Sequence, residues 1–510
     1  MSSNKNTTLA KNTIFLSIRM IFVMFVSLYT SRVFLYSLGV DDFGINNVVC
    51  GFVAMFSFLN TSLSNGIQRF YNSEMSKSGE EGVKLVYNSA LLIQGGIAVL
   101  VILLLETIGI WYINNKMVIP VERLSTAMWI YQFSVISSAI VIMQTPYSAA
   151  VMAYEKMNYY AVVGIVDVLL KLALALVIPY VSGDHLLFYG AMMLGITLLS
   201  FVMYVGYAKI KFIALKLKWK VQKDLLKHMI TFSGWNFFGT FACMIREQGL
   251  NMVLNLFFGP VVNAARGIAY QVSSALQGFV SNVSVAAKPQ MVSSFAEGNA
   301  TRTMRLMYSM SKLSFFILFI MAVPVCLEIN YILHLWLGEV VPEHTANFVI
   351  LVILTNFMNN LNAPLSNVVY ATGEMRNYEV TFSIINILVI PLAYVALRMG
   401  CPPEAAFISY FIMTIFVQIG CLVVLRTITN ISLTEYFLKL CCPLLVFSIV
   451  AILLPFIINT IMSAGFLRLS CVTVVTCITA SISFYWLCLN DNEKCLVNSC
   501  INKIIKHAAK

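Results

Sequence analysis

Apolar runs of about 20 residues recur along the whole chain, separated by short polar segments. A helix of this length crosses the hydrocarbon part of a bilayer, so each run predicts one membrane span. The longest segment between runs, 208–227, leaves no room for a soluble catalytic domain. The pattern predicts an all-α polytopic membrane protein with fourteen spans near 14–36, 45–66, 85–110, 125–150, 160–181, 187–207, 228–257, 261–285, 306–329, 346–370, 379–398, 405–426, 437–461 and 466–489.

The composition supports this class of protein. Of the 510 residues, 59% are apolar and only 11% are charged, whereas a soluble domain carries about 25% charged residues. These values exclude a soluble enzyme, a nucleic-acid-binding protein and a secreted disulfide scaffold. The 12 cysteines lie mostly inside apolar runs, and no Cys/His group has the spacing of metal ligands. We therefore predict no cofactor, no metal site and no nucleic-acid partner.

Lysine and arginine residues set the orientation. An even number of spans places both termini on the same side. With the N-terminus in the cytoplasm, the inner segments hold 24 of the 33 Lys and Arg residues and the outer loops hold 4. The positive-inside rule therefore predicts cytoplasmic termini. The basic segment 208–227 is expected to meet anionic lipid headgroups, with docking of a partner enzyme as the alternative.

An internal repeat relates the two halves of the chain. The sequence TPYSAAVMAYEKMNYY at 145–160 matches APLSNVVYATGEMRNY at 363–378, and Asp167 then aligns with Asn386. Leu38-Gly39 and Phe258-Gly259 match at nearly the same offset, which equals six predicted spans. A parallel repeat of this kind is typical of two-lobed alternating-access transporters, although duplication can also serve stability alone. The predicted domains are a lobe at 1–207, a basic cytoplasmic linker at 208–227, a second lobe at 228–430, two further spans at 431–490 and a basic cytoplasmic tail at 491–510.

Four arginines lie inside predicted spans, where a charge costs about 2.5–3.5 kcal/mol and usually faces a cavity or a partner. Arg19 lies towards the cytoplasmic end of its span, Arg246 near mid-membrane, and Arg32 and Arg266 close to the outer face. Guanidinium groups suit bidentate phosphate contacts, so arginines at several depths of the membrane predict binding of a phosphate or diphosphate. Two alternatives stay open. Arg32 and Arg266 can reach the outer headgroups, and Arg19 and Arg32 lie about 220° apart around one helix.

The remaining embedded charges are candidates for ion coupling. Asp167 and Lys171 share a helix face at i, i+4, which fits either a structural ion pair or a coupling site. Glu247 follows Arg246 directly, and we expect these two side chains not to face each other, so that at least one of them needs another partner.

Predicted span 7 is unusually polar. Asn236 and Gln248 within it are candidates to contact sugar hydroxyls. The glycines nearby permit close helix approach or bending.

Four features of the sequence carry a family resemblance: the 6 + 6 + 2 layout, the SLGVDDFG loop at 37–44, the NGIQRFYNSE run at 65–74 and the repeated P-x-S…E…NY boundary. They resemble the polysaccharide-export branch of the multidrug/oligosaccharidyl-lipid/polysaccharide (MOP) superfamily. The resemblance implies a non-enzymatic flippase that moves an undecaprenyl-diphosphate-linked oligosaccharide to the outer leaflet of a bacterial cytoplasmic membrane, for O-antigen or capsule biosynthesis. It also implies a cationic central cavity, which Arg19, Arg246 and Arg266 fit by span and polarity. The implied partners are the lipid-linked oligosaccharide, membrane lipids and polysaccharide assembly enzymes.

Two alternatives remain. A cation-coupled multidrug exporter of the same superfamily would favour buried carboxylates in its cavity, whereas arginines dominate the embedded charges here. An integral-membrane polysaccharide polymerase would need a catalytic cluster, and the 5 His are scattered along the chain.

Overall fold

The computed structural model describes residues 2–154, 156–212, 223–296, 299–372, 375–429, 431–491, 493–495 and 498. In 2–21, 230–238, 282–290 and several shorter stretches, the description covers the backbone only. Within these ranges the regular structure is helical, with no strand. The α-helices are α1 (Ser2–Ala54), α2 (Ser57–Leu104), α3 (Ile110–Asn115), α4 (Leu124–Ala153), α5 (Met157–Val177), α6 (His185–Lys211), α7 (Lys223–Phe258), α8 (Pro260–Ala296), α9 (Ala300–Leu327), α10 (Ile329–Leu337), α11 (Thr345–Thr372), α12 (Arg376–Ile387), α13 (Val389–Arg398), α14 (Glu404–Thr429), α15 (Leu433–Tyr436), α16 (Cys442–Ile461) and α17 (Phe466–Leu487).

The predicted fold class is confirmed. Eleven helical segments of the described chain are long and apolar enough to cross a membrane. Predicted spans 7 and 8 coincide with α7 and α8, which are outside that set of eleven. Two details differ from the prediction. Predicted span 2 is interrupted by a turn at 55–56, and α10 lies where the sequence predicted a loop after span 9.

Glycines break the long helices at matching points of the repeat. Gly39, inside α1, has φ 79°, and Gly259, between α7 and α8, has φ 74°. Left-handed φ values of this kind are easily adopted only by glycine. The proline boundaries also agree, because Ser148 donates to the carbonyl of Thr145 and Ser366 to that of Ala363, each three residues back. The two halves of the chain thus share local backbone features.

The chain divides into two units. Unit 1 comprises Met1–Gln271, Trp336–Phe348 and Phe382–Met413, and unit 2 comprises Val272–Leu335, Val349–Thr381 and Thr414–Lys510. These boundaries differ from those of the predicted lobes, which stay a prediction. Half of the predicted linker at 208–227 and most of the predicted tail at 491–510 lie outside the described residues.

Unit 1 has two buried apolar clusters. One joins α1, α2 and α4 around Val49, Val101 and Tyr131, and the other joins α2, α4 and α6 around Tyr87 and Tyr147. Within a membrane, close packing rather than exclusion of water holds such helices together. These clusters fix the helices that carry the polar residues described below.

Candidate functional site: a buried arginine pair in unit 1

Arg246, in the middle of α7, is buried, with 6% of its surface exposed. Its Nη1 donates to Oδ1 of Asn386 on α12, and its Nη2 donates to Oε1 of Glu247 at 3.2 Å. The guanidinium carbon also lies 4.4 Å from the centroid of the Tyr410 ring on α14. Three helices therefore hold one guanidinium group.

Arg266, near the start of α8, is equally buried, with 5% exposed. Its Nη2 donates to the backbone carbonyl of Glu247 at 2.6 Å, and its guanidinium carbon lies 4.2 Å from the centroid of the Tyr270 ring. Both guanidinium groups therefore meet at Glu247. We call Arg246, Arg266 and Glu247 the arginine pair site.

The arginine pair site holds two cations and one carboxylate. Glu247 is its most accessible member, with 35% of its side chain exposed. The Nε atoms of Arg246 and Arg266 are buried and have no hydrogen-bond partner among the described residues. A buried donor without a partner costs about 1–3 kcal/mol. The site thus combines an excess of positive charge with unused donors, which suits an anion.

This geometry corrects one expectation from the sequence. Arg246 and Glu247 were expected to face apart because they are neighbours in one helix, yet they form an ion pair at 3.2 Å. The reason is that the long arginine side chain can turn back along the helix surface. Arg266 was placed close to the outer face, but its side chain extends to the carbonyl of Glu247. The guanidinium groups of the two arginines therefore form one cluster rather than lying at separate depths of the membrane.

The other candidate residues are distributed as follows. Arg32 is exposed, and the side chains of Arg19 and Asn236 lie outside the described residues. Gln248 lies beside the arginine pair site in sequence, and its Oε1 is buried with no hydrogen-bond partner among the described residues. Asp167 and Lys171 form an ion pair on α5 at 2.7 Å, as the structural alternative predicted.

Sequence reasoning missed the residues that hold the arginines. Asn386 was noted only as the repeat partner of Asp167, and neither Tyr410 nor Tyr270 was noted at all. Buried asparagine in an apolar run is the signal that identifies Asn386, because such a side chain needs a polar partner. The tyrosines carry no comparable signal in the sequence.

A network of asparagines joins α1, α7 and α8. Asn251 donates to the backbone carbonyl of Asn47 at 3.2 Å, and Asn263 donates to Oδ1 of Asn251 at 2.7 Å. Asn255 donates to Asn263 at 3.1 Å and also hydrogen-bonds both backbone groups of Val118. We call Asn47, Asn251, Asn255 and Asn263 the asparagine seam.

Small residues allow the helices along this seam to approach closely. A Cβ at Gly44 would overlap the carbonyl of Pro260. A Cβ at Gly51 would lie 2.5 Å from Oε1 of Gln248. Glycine is therefore required at position 44, where the neighbouring atom belongs to the backbone, whereas at position 51 the Gln248 side chain would have to shift.

A cavity of about 380 Å³ lies between α1, α2, α4 and α6 of unit 1. None of the described residues that line it is charged. About half of them carry a hydroxyl, amide or thiol group: Asn46, Cys50, Asn60, Ser134, Ser137, Ser138, Tyr189 and Thr197.

A second charged group of unit 1 is held by Arg123. Its Nε donates to Oδ1 of Asp42 at 2.8 Å, and its Nη1 donates to Oδ2 of Asp184 at 2.9 Å. Asp184 also accepts from Thr126 and from the backbone NH of Leu187 at the start of α6. Burial alone would raise the pKa of Asp184, but the hydrogen bonds from Thr126 and Arg123 outweigh it and lower that pKa. This group therefore links α1 to the segments that precede α4 and α6.

The sequence matches no protein-family model, and a search of curated proteins finds no match. Solved structures do match. An inward-facing multidrug resistance MATE family transporter of the MOP superfamily has a TM-score of 0.68 and 13% identity, covering 81% of this chain and 98% of its own. The lipid II flippase MurJ in an inward closed conformation has a TM-score of 0.67 and 14% identity, covering 92% and 99%. This chain therefore has the fold of MOP superfamily transporters.

A third match concerns binding-pocket charge. A MOP superfamily transporter from Pyrococcus furiosus, described as having a binding pocket of reverse polarity, has a TM-score of 0.60 and 14% identity, covering 82% of this chain and 96% of its own. The structural neighbours are thus transporters with different substrates, and none is described as an enzyme.

Proposed function

We propose that this protein is a flippase for a polyprenyl-diphosphate-linked oligosaccharide. It moves the molecule from the inner to the outer leaflet of a bacterial cytoplasmic membrane by alternating access, with both of its termini in the cytoplasm. The observation that carries this proposal is the arginine pair site, where two buried guanidinium groups converge on Glu247, Arg246 at its carboxylate and Arg266 at its backbone carbonyl. A transporter fold with a cationic site suits an acidic substrate rather than a cationic drug.

The diphosphate takes the place of Glu247 on Arg246. Glu247 is the exposed member of the site, whereas Asn386 and Tyr410 hold Arg246 from inside unit 1. An anion that approaches from the side of Glu247 therefore meets a guanidinium group already fixed in position. Preorganisation of this kind lowers the cost of binding.

Glu247 is also the stronger candidate for ion coupling. Asp167 and Lys171 already neutralise each other at 2.7 Å, whereas Glu247 shares its charge with the site that binds the anion. Binding of a proton or cation at Glu247 would free Arg246 for the diphosphate. Transport would then be linked to the ion gradient through competition for one guanidinium group.

The test uses Arg246→Ala, with Arg398→Ala at an exposed arginine of unit 1 as the matched control. Purified protein in nanodiscs is titrated with a polyprenyl diphosphate, and surface polysaccharide is measured in cells at equal protein level. Loss of charged hydrogen bonds predicts about 10- to 100-fold weaker binding for Arg246→Ala and unchanged binding for the control. Unchanged binding and export in Arg246→Ala would remove the arginine pair site from the function.

The second candidate is a cation-coupled multidrug exporter, which the likeness to the MATE fold favours. The same nanodiscs distinguish it when they are titrated with a cationic dye. A drug exporter binds the dye and retains that binding in Arg246→Ala. A flippase for an acidic lipid binds the diphosphate lipid and not the dye.

A further inference from the structure

The uncharged cavity of unit 1 has the size and chemistry of a ligand site. Its volume of about 380 Å³ lies within the range of small-molecule pockets, about 300–1,000 Å³. Four of its lining residues, Ser134, Ser137, Ser138 and Val141, follow the i, i+3, i+4, i+7 pattern and so share one face of α4. The cavity thus presents a row of three hydroxyl groups.

Two of these hydroxyl groups are unused. Ser134 donates to the carbonyl of Ile130, the usual arrangement for serine in a helix. Ser137 and Ser138 have no hydrogen-bond partner among the described residues. Two aromatic side chains, Phe133 and Tyr189, also line the cavity and offer apolar surface beside the polar groups. Together these features suit a ring with hydroxyl groups and an apolar face.

The charge of the lining argues against other occupants. An anionic group would be desolvated with no cation among the described lining residues to compensate it. A hydrocarbon chain would leave the hydroxyl groups of Ser137 and Ser138 with only the carbonyls of their own helix as acceptors. A neutral saccharide meets both conditions.

The helix α1 lies between the cavity and the helix that carries the arginine pair site. Cys50 lines the cavity, and the next residue, Gly51, packs against Gln248 on α7. Consecutive residues of a helix point about 100° apart, so the cavity and α7 meet different faces of the same part of α1. Gln248 follows Arg246 by two residues and keeps an unused carbonyl oxygen on its side chain. A ligand with a phosphate and a sugar joined covalently needs two such neighbouring sites.

We infer that this cavity binds a neutral sugar of the substrate, while the arginine pair site binds its phosphate. The inference rests on the proposed function, because it assigns the second part of the same molecule. It predicts that the protein distinguishes a sugar-bearing lipid from the same lipid without sugar. Sites that hydrogen-bond a substrate hydroxyl discriminate in this way.

The test compares two probes in nanodiscs: a polyprenyl diphosphate, and the same lipid bearing one N-acetylhexosamine. The wild type is expected to bind the sugar-bearing lipid about tenfold more tightly, as one or two net hydrogen bonds allow. Ser137→Ala with Ser138→Ala removes both hydroxyl groups without adding volume and should bring this ratio close to one. The affinity for the sugar-free lipid should not change.

Ser470→Ala, a serine of α17 in unit 2, is the matched control and should keep the wild-type ratio. Ser137→Leu, which fills the cavity, is the second variant and should also abolish the preference. Arg246→Ala should weaken binding of both lipids and leave their ratio near tenfold.

Each other outcome overturns the inference in a recognisable way. Equal binding of the two lipids by the wild type would overturn the sugar site and leave the proposed function standing. Weaker binding of both lipids in Ser137→Leu would identify a groove for the prenyl chain instead. Binding of neither lipid by the wild type would contradict the proposed function itself.

Discussion

The side-chain amide of Asn251 on α7 donates a hydrogen bond to the backbone carbonyl of Asn47 on α1 at 3.2 Å. The contact lies in the asparagine seam, where Asn263 in turn donates to the side chain of Asn251 at 2.7 Å. Asn251 and Asn263 are almost fully buried. The seam therefore joins these helices by hydrogen bonds in a region where apolar packing would be the ordinary solution.

Replacing Asn263 with Ala should destabilise the protein. The change removes the hydrogen bonds of Asn263 with Asn251 and Asn255 and leaves Oδ1 of Asn251 without its donor in a buried region, at about 1–3 kcal/mol. The expected result is a lower thermal unfolding midpoint in detergent. Asn115→Ala, at an exposed position of α3, is the control and should change the midpoint little. Equal midpoints for the two variants would show that the network contributes no stability.

Replacing Gly44 with Ala should disrupt the contact between α1 and α8. The added Cβ would overlap the carbonyl of Pro260, and the backbone of either helix must move to accommodate it. Overpacking of this kind costs about 1–3 kcal/mol, so the unfolding midpoint should fall. Gly95→Ala in α2 has open space around its Cβ and should be neutral or slightly stabilising. A neutral Gly44→Ala would mean that α1 and α8 do not pack this closely.

Replacing Arg468 with Met should strongly destabilise unit 2. Arg468 Nη2 donates to Glu328 Oε2 at 2.7 Å, and the Glu328 side chain is fully buried. Loss of the arginine leaves a buried charge without a counter-ion, at about 3–5 kcal/mol. The double variant Glu328→Leu with Arg468→Met removes both charges and should regain most of the stability. A double variant no more stable than Arg468→Met would contradict this explanation.

Replacing Asp184 with Asn should weaken the Arg123 group. Asp184 is the N-cap of α6 and accepts from Arg123 at 2.9 Å. Asparagine caps a helix about as well as aspartate, so the loss should come from the ion pair and amount to about 0.2–1 kcal/mol. Asp41→Asn, at an exposed neighbour of Asp42, is the control and should leave the unfolding midpoint unchanged.

The same variant should reveal a pH dependence. Because the folded-state pKa of Asp184 lies below the ordinary value of 3.8, its ionised carboxylate stabilises the fold above that pH. This contribution is lost as the pH falls through the folded-state pKa. The difference in midpoint between wild type and Asp184→Asn should therefore narrow as the pH falls below 3.8. A constant difference would show that the carboxylate charge is not the cause.

The asparagine seam also illustrates what local sequence information lacks. Asn251, Asn255 and Asn263 are visible in the sequence as polar residues within predicted spans. Their mutual contacts are not, because they depend on how α7 and α8 turn towards each other after Gly259. The repeat is a partial guide, since it marks Gly39 and Gly259 as equivalent positions and both have left-handed φ values.

The sequence by itself determined the helical, membrane-spanning class of this protein, its break at Gly39 and the inventory of embedded charges. These properties depend on residues that are close together in the sequence, because the hydrophobicity of a segment and the conformational freedom of a glycine do not require distant contacts. Only the tertiary structure decided that Arg246 and Arg266 meet at Glu247, that Asn386 holds Arg246, and that α1, α2, α4 and α6 enclose an uncharged cavity. Arg246 and Asn386 are 140 residues apart, and a contact at that separation depends on the packing of several helices at once.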